Sequence, residues 1–160
     1  MRVMKYILFM AITTVPLFGI AGTLPSKINW LPESFSKSLS EKGCEISNVV
    51  EWAGGEKLKA RGLVVGQFAA SGQYDIAVMC SNKIYFYWGG PVKCSSEIRN
   101  LGESIESPGE EEVYRYLSRY KNESWPKELS HDPIGMYNFG KSSFYQYCFN
   151  GQWLYSDGAD

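Results

Sequence analysis

The stretch Gly66–Ser81 reads GQFAASGQYDIAVMCS and joins a loop of small residues to an alternating run that ends in a cysteine. Because side chains two residues apart lie on the same face of a strand, the run from Tyr74 predicts a β-strand with two distinct faces. One face is predicted to carry Tyr74, Ile76, Val78 and Cys80. The other face is predicted to carry Asp75, Ala77, Met79 and Ser81. In the loop, Gly66 and Gly72 allow unusual backbone angles, and we expect Asp75 to accept hydrogen bonds from loop amides.

The neighbouring residues add further strands to this prediction. KIYFYWGG, residues 83–90, alternates in the same way after a short link, which predicts a hairpin with the strand that ends at Ser81. Near the C-terminus, Asn150-Gly151 separates two strand-like runs and favours a type I′ hairpin turn, because both residues tolerate positive φ angles. Lys57–Phe68 is another strand candidate, which two glycines interrupt.

Two segments have the signature of short helices. Pro32–Lys42 places Phe35 and Leu39 four residues apart, with Pro32 at a plausible first position and Gly43 just beyond the end. A second helix is predicted from Ser107, which can cap it, and its apolar face would hold Val113, Tyr116, Leu117 and Tyr120. Strands grouped in this order, with helices before and between them, predict an α+β fold with mainly antiparallel β-sheet and two short helices.

Residues 1–22 have the layout of a secretory signal peptide. Two basic residues precede an uncharged apolar run, residues 6–20, and small residues follow it. The run is short for a bilayer span, which needs about 20 residues, so we expect cleavage near Ala21 or Gly22 rather than a permanent membrane anchor. Residues 23–160 are then predicted to form a single globular domain that is periplasmic or secreted.

The charge balance argues against nucleic acid as a partner. The whole chain has 16 Lys and Arg against 17 Asp and Glu, a net charge of −1. Loss of Arg2 and Lys5 with the signal peptide leaves 14 basic residues against the same 17 acidic ones, a net charge of about −3. Because a nucleic-acid interface needs a basic face, we do not expect a nucleic-acid partner. The partner we expect for an exported chain is another envelope or extracellular protein.

Four cysteines lie in the predicted mature chain: Cys44, Cys80, Cys94 and Cys148. An even number in an exported chain predicts two disulfide bonds, and four cysteines allow three pairings. A zinc site is not indicated, because the spacing contains no C-x-x-C and the chain has one histidine. We expect no metal and no cofactor.

The single histidine, His131, is the one candidate catalytic residue. A histidine can act as a general base, and Asp132 beside it would be a possible orienting group. Adjacent residues usually point apart, however, and Pro133 favours a turn here, which together favour a structural or surface role. Because the chain also lacks G-x-S-x-G and H-E-x-x-H sequences, the patterns favour a protein that is not an enzyme.

Aromatic side chains are more numerous in the strands than a small core requires. Exposed Tyr and Trp anchor protein interfaces and stack on sugar rings, so the candidate binding residues are Tyr85, Tyr87, Trp88 and Trp153. The alternative is that one face of each strand belongs to the core and the other forms a cross-strand aromatic ladder. The sequence leaves both interpretations open.

Several motifs resemble a family of small, exported, uncharacterised bacterial proteins. The motifs are Gly-x-aromatic and Gly-Gln-x-Asp-x-Ala-Val-x-Cys-Ser within residues 66–81, Gly43-Cys44-Glu45-Ile46, His131-Asp132 with Ile134, and the C-terminal Gly158-Ala159-Asp160. The resemblance implies that Cys44 pairs with Cys80, which leaves Cys94 for Cys148. It implies no activity.

The opening stretch is also faintly similar to an FG-GAP unit, a strand-loop-strand repeat that often binds calcium. Calcium takes six to eight oxygen ligands, commonly from several carboxylates. The loop between Phe68 and Asp75, AASGQY, contains no carboxylate, so this similarity does not predict a cation site.

These features predict an exported domain held by disulfide bonds that works as a non-catalytic binding protein of the cell envelope. Two alternatives stay open. One is a small hydrolase that acts on an envelope polymer, with His131 as its base. The other is an inhibitor or immunity protein that blocks a toxin.

Overall fold

The structure is a computed structural model that describes residues 22–46, 50–51, 57–58, 62–107, 130–138 and 141–157. In chain order these residues form η1 (Pro25–Lys27, a 3-10 turn), α1 (Glu33–Glu41), β1 (Val50–Glu51), β2 (Lys57–Leu58), β3 (Leu63–Gly66), β4 (Asp75–Cys80), β5 (Lys83–Tyr87), β6 (Glu97–Arg99), β7 (Ser104–Glu106), β8 (Ile134–Asn138), β9 (Ser142–Phe149) and β10 (Gln152–Asp157). The predicted signal peptide, up to residue 21, lies outside these residues, as does the predicted second helix beyond Ser107. None of the helices described has the length and apolar content that a membrane crossing requires.

The longer strands form two four-stranded antiparallel sheets. The first sheet has the order β3-β4-β5-β6 and the second has the order β10-β9-β8-β7, while β1 and β2 pair with each other. The strand candidate Lys57–Phe68 contributes β2 and β3. Mainly antiparallel sheet in an α+β fold is therefore confirmed, although the residues described contain one α-helix where the sequence predicts two.

Helix α1 covers one face of the first sheet. Phe35 and Leu39 are buried, as their spacing predicts, and they pack against β4. Pro32 lies one position earlier than predicted, as the N-cap, because its ψ angle of 131° is outside the helical range. The helix ends before Gly43, whose φ of 67° is an angle that glycine adopts without strain.

The opposite face of the first sheet packs on the second sheet. The shared core contains buried residues from both sheets and their loops: Val64, Phe68, Ala77, Met79, Ile84, Phe86, Ile105, Ile134 and Met136. β4 is buried along its whole length, because α1 covers one of its faces and the second sheet covers the other. Within Asp75–Cys80 the two predicted faces are confirmed, with Ile76 and Val78 toward the helix and Ala77 and Met79 toward the second sheet, whereas Tyr74 and Ser81 lie outside the strand.

Two disulfide bonds join the three layers. Cys44, after α1, is bonded to Cys80 at the end of β4, with 5.1 Å between the Cα atoms. Cys94, between β5 and β6, is bonded to Cys148 of β9 in the second sheet, with 5.9 Å between the Cα atoms. These are the pairs that the family resemblance implies. Each bond connects one layer to the next, so both restrict how the layers can separate.

Positive φ angles occur at both predicted hairpin turns. Ser81 has a φ of 54° between β4 and β5, and Asn150 and Gly151 have φ angles of 50° and 79° between β9 and β10. Two successive positive φ angles are the mark of a type I′ turn, so the prediction for Asn150-Gly151 is confirmed. The turn also sets the register of β9 with β10, which pairs Phe149 with Gln152.

Candidate binding surface

Asp75, the first residue of β4, is a fully buried carboxylate. Its Oδ2 accepts a hydrogen bond from the Ala69 N–H at 3.1 Å, and its Oδ1 accepts from Gln73 Nε2 at 2.7 Å and from the Gly89 N–H at 2.9 Å. A buried carboxylate is strongly unfavourable unless it is hydrogen-bonded, and these three donors meet that need. The prediction that Asp75 accepts from loop amides is confirmed, and one donor comes from a second loop, after β5.

Gln73 strengthens the connection between the two loops. Its Nε2 also donates to the Val92 carbonyl oxygen at 2.7 Å, and its Oε1 accepts from the Val92 N–H at 3.3 Å. The side-chain amide therefore pairs with both backbone groups of a residue 19 positions away. We call the two connected segments, residues 67–74 and 89–93, the loop platform.

The loop platform is also connected to the second sheet. The Gln67 N–H donates to Asp132 Oδ2 at 3.0 Å, and the Asp132 N–H donates back to the Gln67 carbonyl oxygen at 2.9 Å. Within the loop, the Gly72 N–H donates to Gln67 Oε1 at 2.5 Å. Hydrogen bonds at Gln67, Ala69 and Gly72 therefore hold one loop at several points along its length.

Two apolar side chains of the loop platform project into solvent. Tyr74 is 67% exposed and Val92 is 45% exposed. The exposed Trp30 lies in the turn before α1, at the same end of the first sheet, because Phe35 of α1 packs on Tyr87 with 5.7 Å between ring centroids. Apolar side chains on loops that a rigid scaffold positions are typical of protein-binding surfaces.

The four aromatic residues that the sequence singles out are not on one surface. Tyr85 and Tyr87 pack against the core on the α1 side of the first sheet. Trp88 and Trp153 lie on its other side, with 6.0 Å between their ring centroids, and both contact Phe86. All four side chains are partly buried, and they pack against the core clusters on the two faces of the first sheet.

His131 lies in the protein interior and is only 8% exposed. Its ring stacks on Tyr147 with 4.3 Å between centroids and 8° between planes. Burial lowers the pKa of His131, although Asp132 and Asp75 partly oppose this effect. Its Nδ1 is buried and has no hydrogen-bond partner in the part of the chain described. The Asp132 side chain accepts a hydrogen bond from Gln67, so it does not orient the ring. A general base must reach its substrate, and His131 is buried. This is therefore the environment of a structural histidine.

The opposite end of the first sheet contains a cavity of about 390 Å³ beside the Cys44–Cys80 bond. Both lysines that line it are engaged within the protein: Lys83 forms an ion pair with Glu97, and the Lys42 ammonium lies 5.2 Å from the centre of the Tyr85 ring. Both ammonium groups therefore already have an interaction within the protein. Among the described residues, no group of three or more His, Cys, Asp or Glu is placed to hold a metal ion.

The sequence patterns do not single out Tyr74 and Val92 as site residues. Strand alternation places Tyr74 on the buried helix-side face, whereas the strand begins one residue later, at Asp75. Two sequence features could have indicated this surface. One is Gln73-x-Asp75 next to a buried strand, and the other is the turn sequence Gly89-Gly90-Pro91. Only the folded chain shows that these two signals belong to one structure.

Comparison with known proteins adds no assignment to this geometry. The chain matches no protein-family model, no curated protein and no solved structure. The resemblance to small exported bacterial proteins therefore stays a prediction from sequence motifs. The surface itself, described by its contacts and exposure, is the basis for the function that follows.

Proposed function

We propose that this protein is a non-catalytic binding domain of the cell envelope that binds another protein through the loop platform. The supporting observation is the contrast among three successive residues. Gln73 and Asp75 are 9% and 0% exposed, whereas Tyr74 between them is 67% exposed. Two buried polar side chains thus hold the loop backbone while the aromatic ring between them stays in solvent.

This arrangement favours binding because the loops are ordered before a partner arrives. Ordering of side chains and loops opposes association, so a surface that is already fixed loses less entropy on binding. Tyrosine offers a large apolar area with few rotatable bonds, and exposed aromatic residues are common at the energetic centres of interfaces. Val92 adds exposed apolar area on the second loop of the loop platform, so we expect the partner to present an apolar surface to both side chains.

The placement in the cell envelope rests on the signal-like N-terminal sequence and on the two disulfide bonds. Disulfide bonds form and persist in oxidising compartments, which include the periplasm and the exterior of the cell. Both pairs of cysteines are bonded in the structure and no free cysteine is left among them. These observations support export, and measurement of the mature N-terminus would test it.

A binding experiment tests the proposed function directly. Affinity recovery from an envelope extract, with identification by mass spectrometry, is compared for the wild-type protein and the variant Tyr74→Ser/Val92→Ser. We expect the variant to lose the main partner of the wild-type protein, because truncation of central interface residues typically weakens binding by at least tenfold, or about 1.4 kcal/mol. The double substitution changes exposed side chains and should leave the unfolding temperature nearly unchanged.

The matched control is Leu24→Ser, which removes an exposed apolar side chain at the other end of the first sheet. Leu24 follows Thr23, which pairs with Ile46, and Ile46 pairs with Cys80 at the far end of β4. This control should recover the same partner as the wild-type protein. If the loop-platform variant recovers that partner as well as the control does, the proposed binding surface is wrong.

A further inference from the structure

Among the described residues, the outer edge of β10 is an open sheet edge. Because the β9–β10 turn has two residues, Phe149 and Gln152 form the first hydrogen-bonded pair, and such pairs then alternate with non-hydrogen-bonded ones. Trp153, Tyr155 and Asp157 therefore direct their backbone N–H and C=O groups away from β9. β10 ends the order of the second sheet, so none of the strands described lies beside its outer edge.

In the part of the chain described, the outward N–H groups of Trp153, Tyr155 and Asp157 have no hydrogen-bond acceptor. Among their carbonyl groups, that of Asp157 accepts a bond from Ser156 Oγ at 3.3 Å. A row of outward N–H and C=O groups is complementary to the backbone of another extended strand. The chemistry of this edge therefore selects a strand as its occupant.

This edge also lacks the features that normally block pairing. One of the two outer strands of the first sheet, β6, is short and charged at both ends, with Glu97 in an ion pair with Lys83. β10 has six residues in continuous register with β9, without a bulge, and it contains neither proline nor lysine. Exposed edges without such protection tend to associate with other strands.

We propose that β10 pairs with β10 of a second copy of this protein, antiparallel about a two-fold axis at Tyr155, so that the second sheets of the two copies form one continuous sheet. In this register Tyr155 lies opposite its own counterpart, and Trp153 lies opposite Asp157 of the other copy. The outward groups of the three residues would exchange about six hydrogen bonds. Asp157 is the only charged residue of β10, and this register does not place the two copies of it opposite each other.

The aromatic side chains explain why a second copy fits this edge. Tyr155 is exposed and stacks on Phe144 of β9, with 5.9 Å between ring centroids and 26° between planes. Pairing about Tyr155 would bring the two tyrosines side by side and continue this row of rings from one copy into the other. Aromatic cross-strand pairs of this kind stabilise antiparallel sheets. A two-fold interface is self-complementary, as this edge is.

The test measures molecular mass by sedimentation equilibrium of the purified, oxidised protein over a range of concentrations. We expect a reversible monomer–dimer equilibrium in the wild-type protein. Tyr155→Pro removes an outward N–H without removing a bond to β9, so it should fold and be monomeric. The matched variant Tyr155→Val also loses the ring but keeps the N–H, and it should still dimerise, more weakly. A wild-type protein that stays monomeric up to its solubility limit would overturn the proposal, as would a proline variant that dimerises like the wild-type protein.

Amide hydrogen exchange gives a second readout that needs no variant. The Tyr155 N–H is hydrogen-bonded only in the dimer, so it should exchange on the order of tenfold more slowly at high than at low protein concentration. The Leu154 N–H, which points toward β9, is the internal control and should not change. Equal exchange of the Tyr155 N–H at all concentrations contradicts pairing at this edge. Because the loop platform contains no residue of β10, neither result depends on the proposed function.

Discussion

The Gly89 N–H donates a hydrogen bond to Asp75 Oδ1 at 2.9 Å, and this bond connects the start of β4 to the segment after β5. The backbone pairing of these two strands reaches Ile76 and Tyr87. The side-chain bond therefore extends the hairpin beyond its last backbone pair. As a result, the two loops of the loop platform leave the sheet together and present Tyr74 and Val92 from fixed positions.

Substitution of Asp75 by Asn should destabilise the protein strongly although it preserves shape. An amide offers one acceptor oxygen where the carboxylate offers two, so at least one of the N–H donors of Ala69 and Gly89 would face an NH₂ group. A buried donor without a partner raises the free energy of the folded state by about 1–3 kcal/mol. We expect a loss of this size in urea unfolding. Asp157→Asn, at an exposed site, should change stability by less than about 0.5 kcal/mol.

Substitution of Gly89 by Ala should disrupt the loop platform by a steric mechanism. A Cβ atom at Gly89 would collide with the carbonyl oxygen of Tyr74, which belongs to the backbone and has little freedom to move. We expect a loss of about 1–3 kcal/mol, as for other overpacked sites, together with reduced partner recovery. Gly151→Ala is a useful comparison, because its Cβ would meet nothing within 4 Å and only its φ of 79° opposes alanine. That variant should lose about 1–2 kcal/mol and keep partner recovery.

Removal of either disulfide bond should lower the free energy of unfolding by a similar amount. The bonded cysteines are 36 and 54 residues apart, and the chain-entropy model gives about 4 kcal/mol for loops of these lengths. The two double alanine variants should differ in tryptophan emission. Trp88 and Trp153 pack against the Cys94–Cys148 bond, so only its removal should change their fluorescence strongly. Equal spectra of the two variants would contradict this packing.

Stability should fall below neutral pH because of His131. Burial lowers the pKa of His131 from its usual 6.5, so the unfolded chain binds a proton at a higher pH than the folded chain does. The stability contributed by the neutral ring is thus fully present above about pH 6.5 and decreases as the pH falls, by at most about 1.4 kcal/mol per pH unit. His131→Phe keeps a ring to stack on Tyr147 and should flatten the dependence between about pH 5 and 7. Urea unfolding at several pH values measures this, and an unchanged slope in the variant would exclude His131 as its source.

Local features of the fold were predictable because their causes are local. The spacing of Phe35 and Leu39, and the turn residues Asn150 and Gly151, act within a few positions of the chain, and helix α1 and the β9–β10 hairpin follow from them. The candidate binding residues were less predictable. Tyr85 and Trp88 are residue types that are common at interfaces. Whether they are buried depends on which layers cover their strand, and strand alternation does not contain that information.

The sequence by itself determined strands β4, β5, β9 and β10 with their two turns, helix α1 and an even set of cysteines, because periodicity, positive-φ residues and composition act along the chain. Only the tertiary structure decided that β4 is covered on both sides, that Asp75 and Gln73 join two loops, and that Tyr74 and Val92 are exposed on these connected loops. These relationships join residues 14 and 19 positions apart and arise from the packing of layers. Side-chain hydrogen bonds at such distances depend on which loops the packed sheets bring together, and no local pattern specifies them.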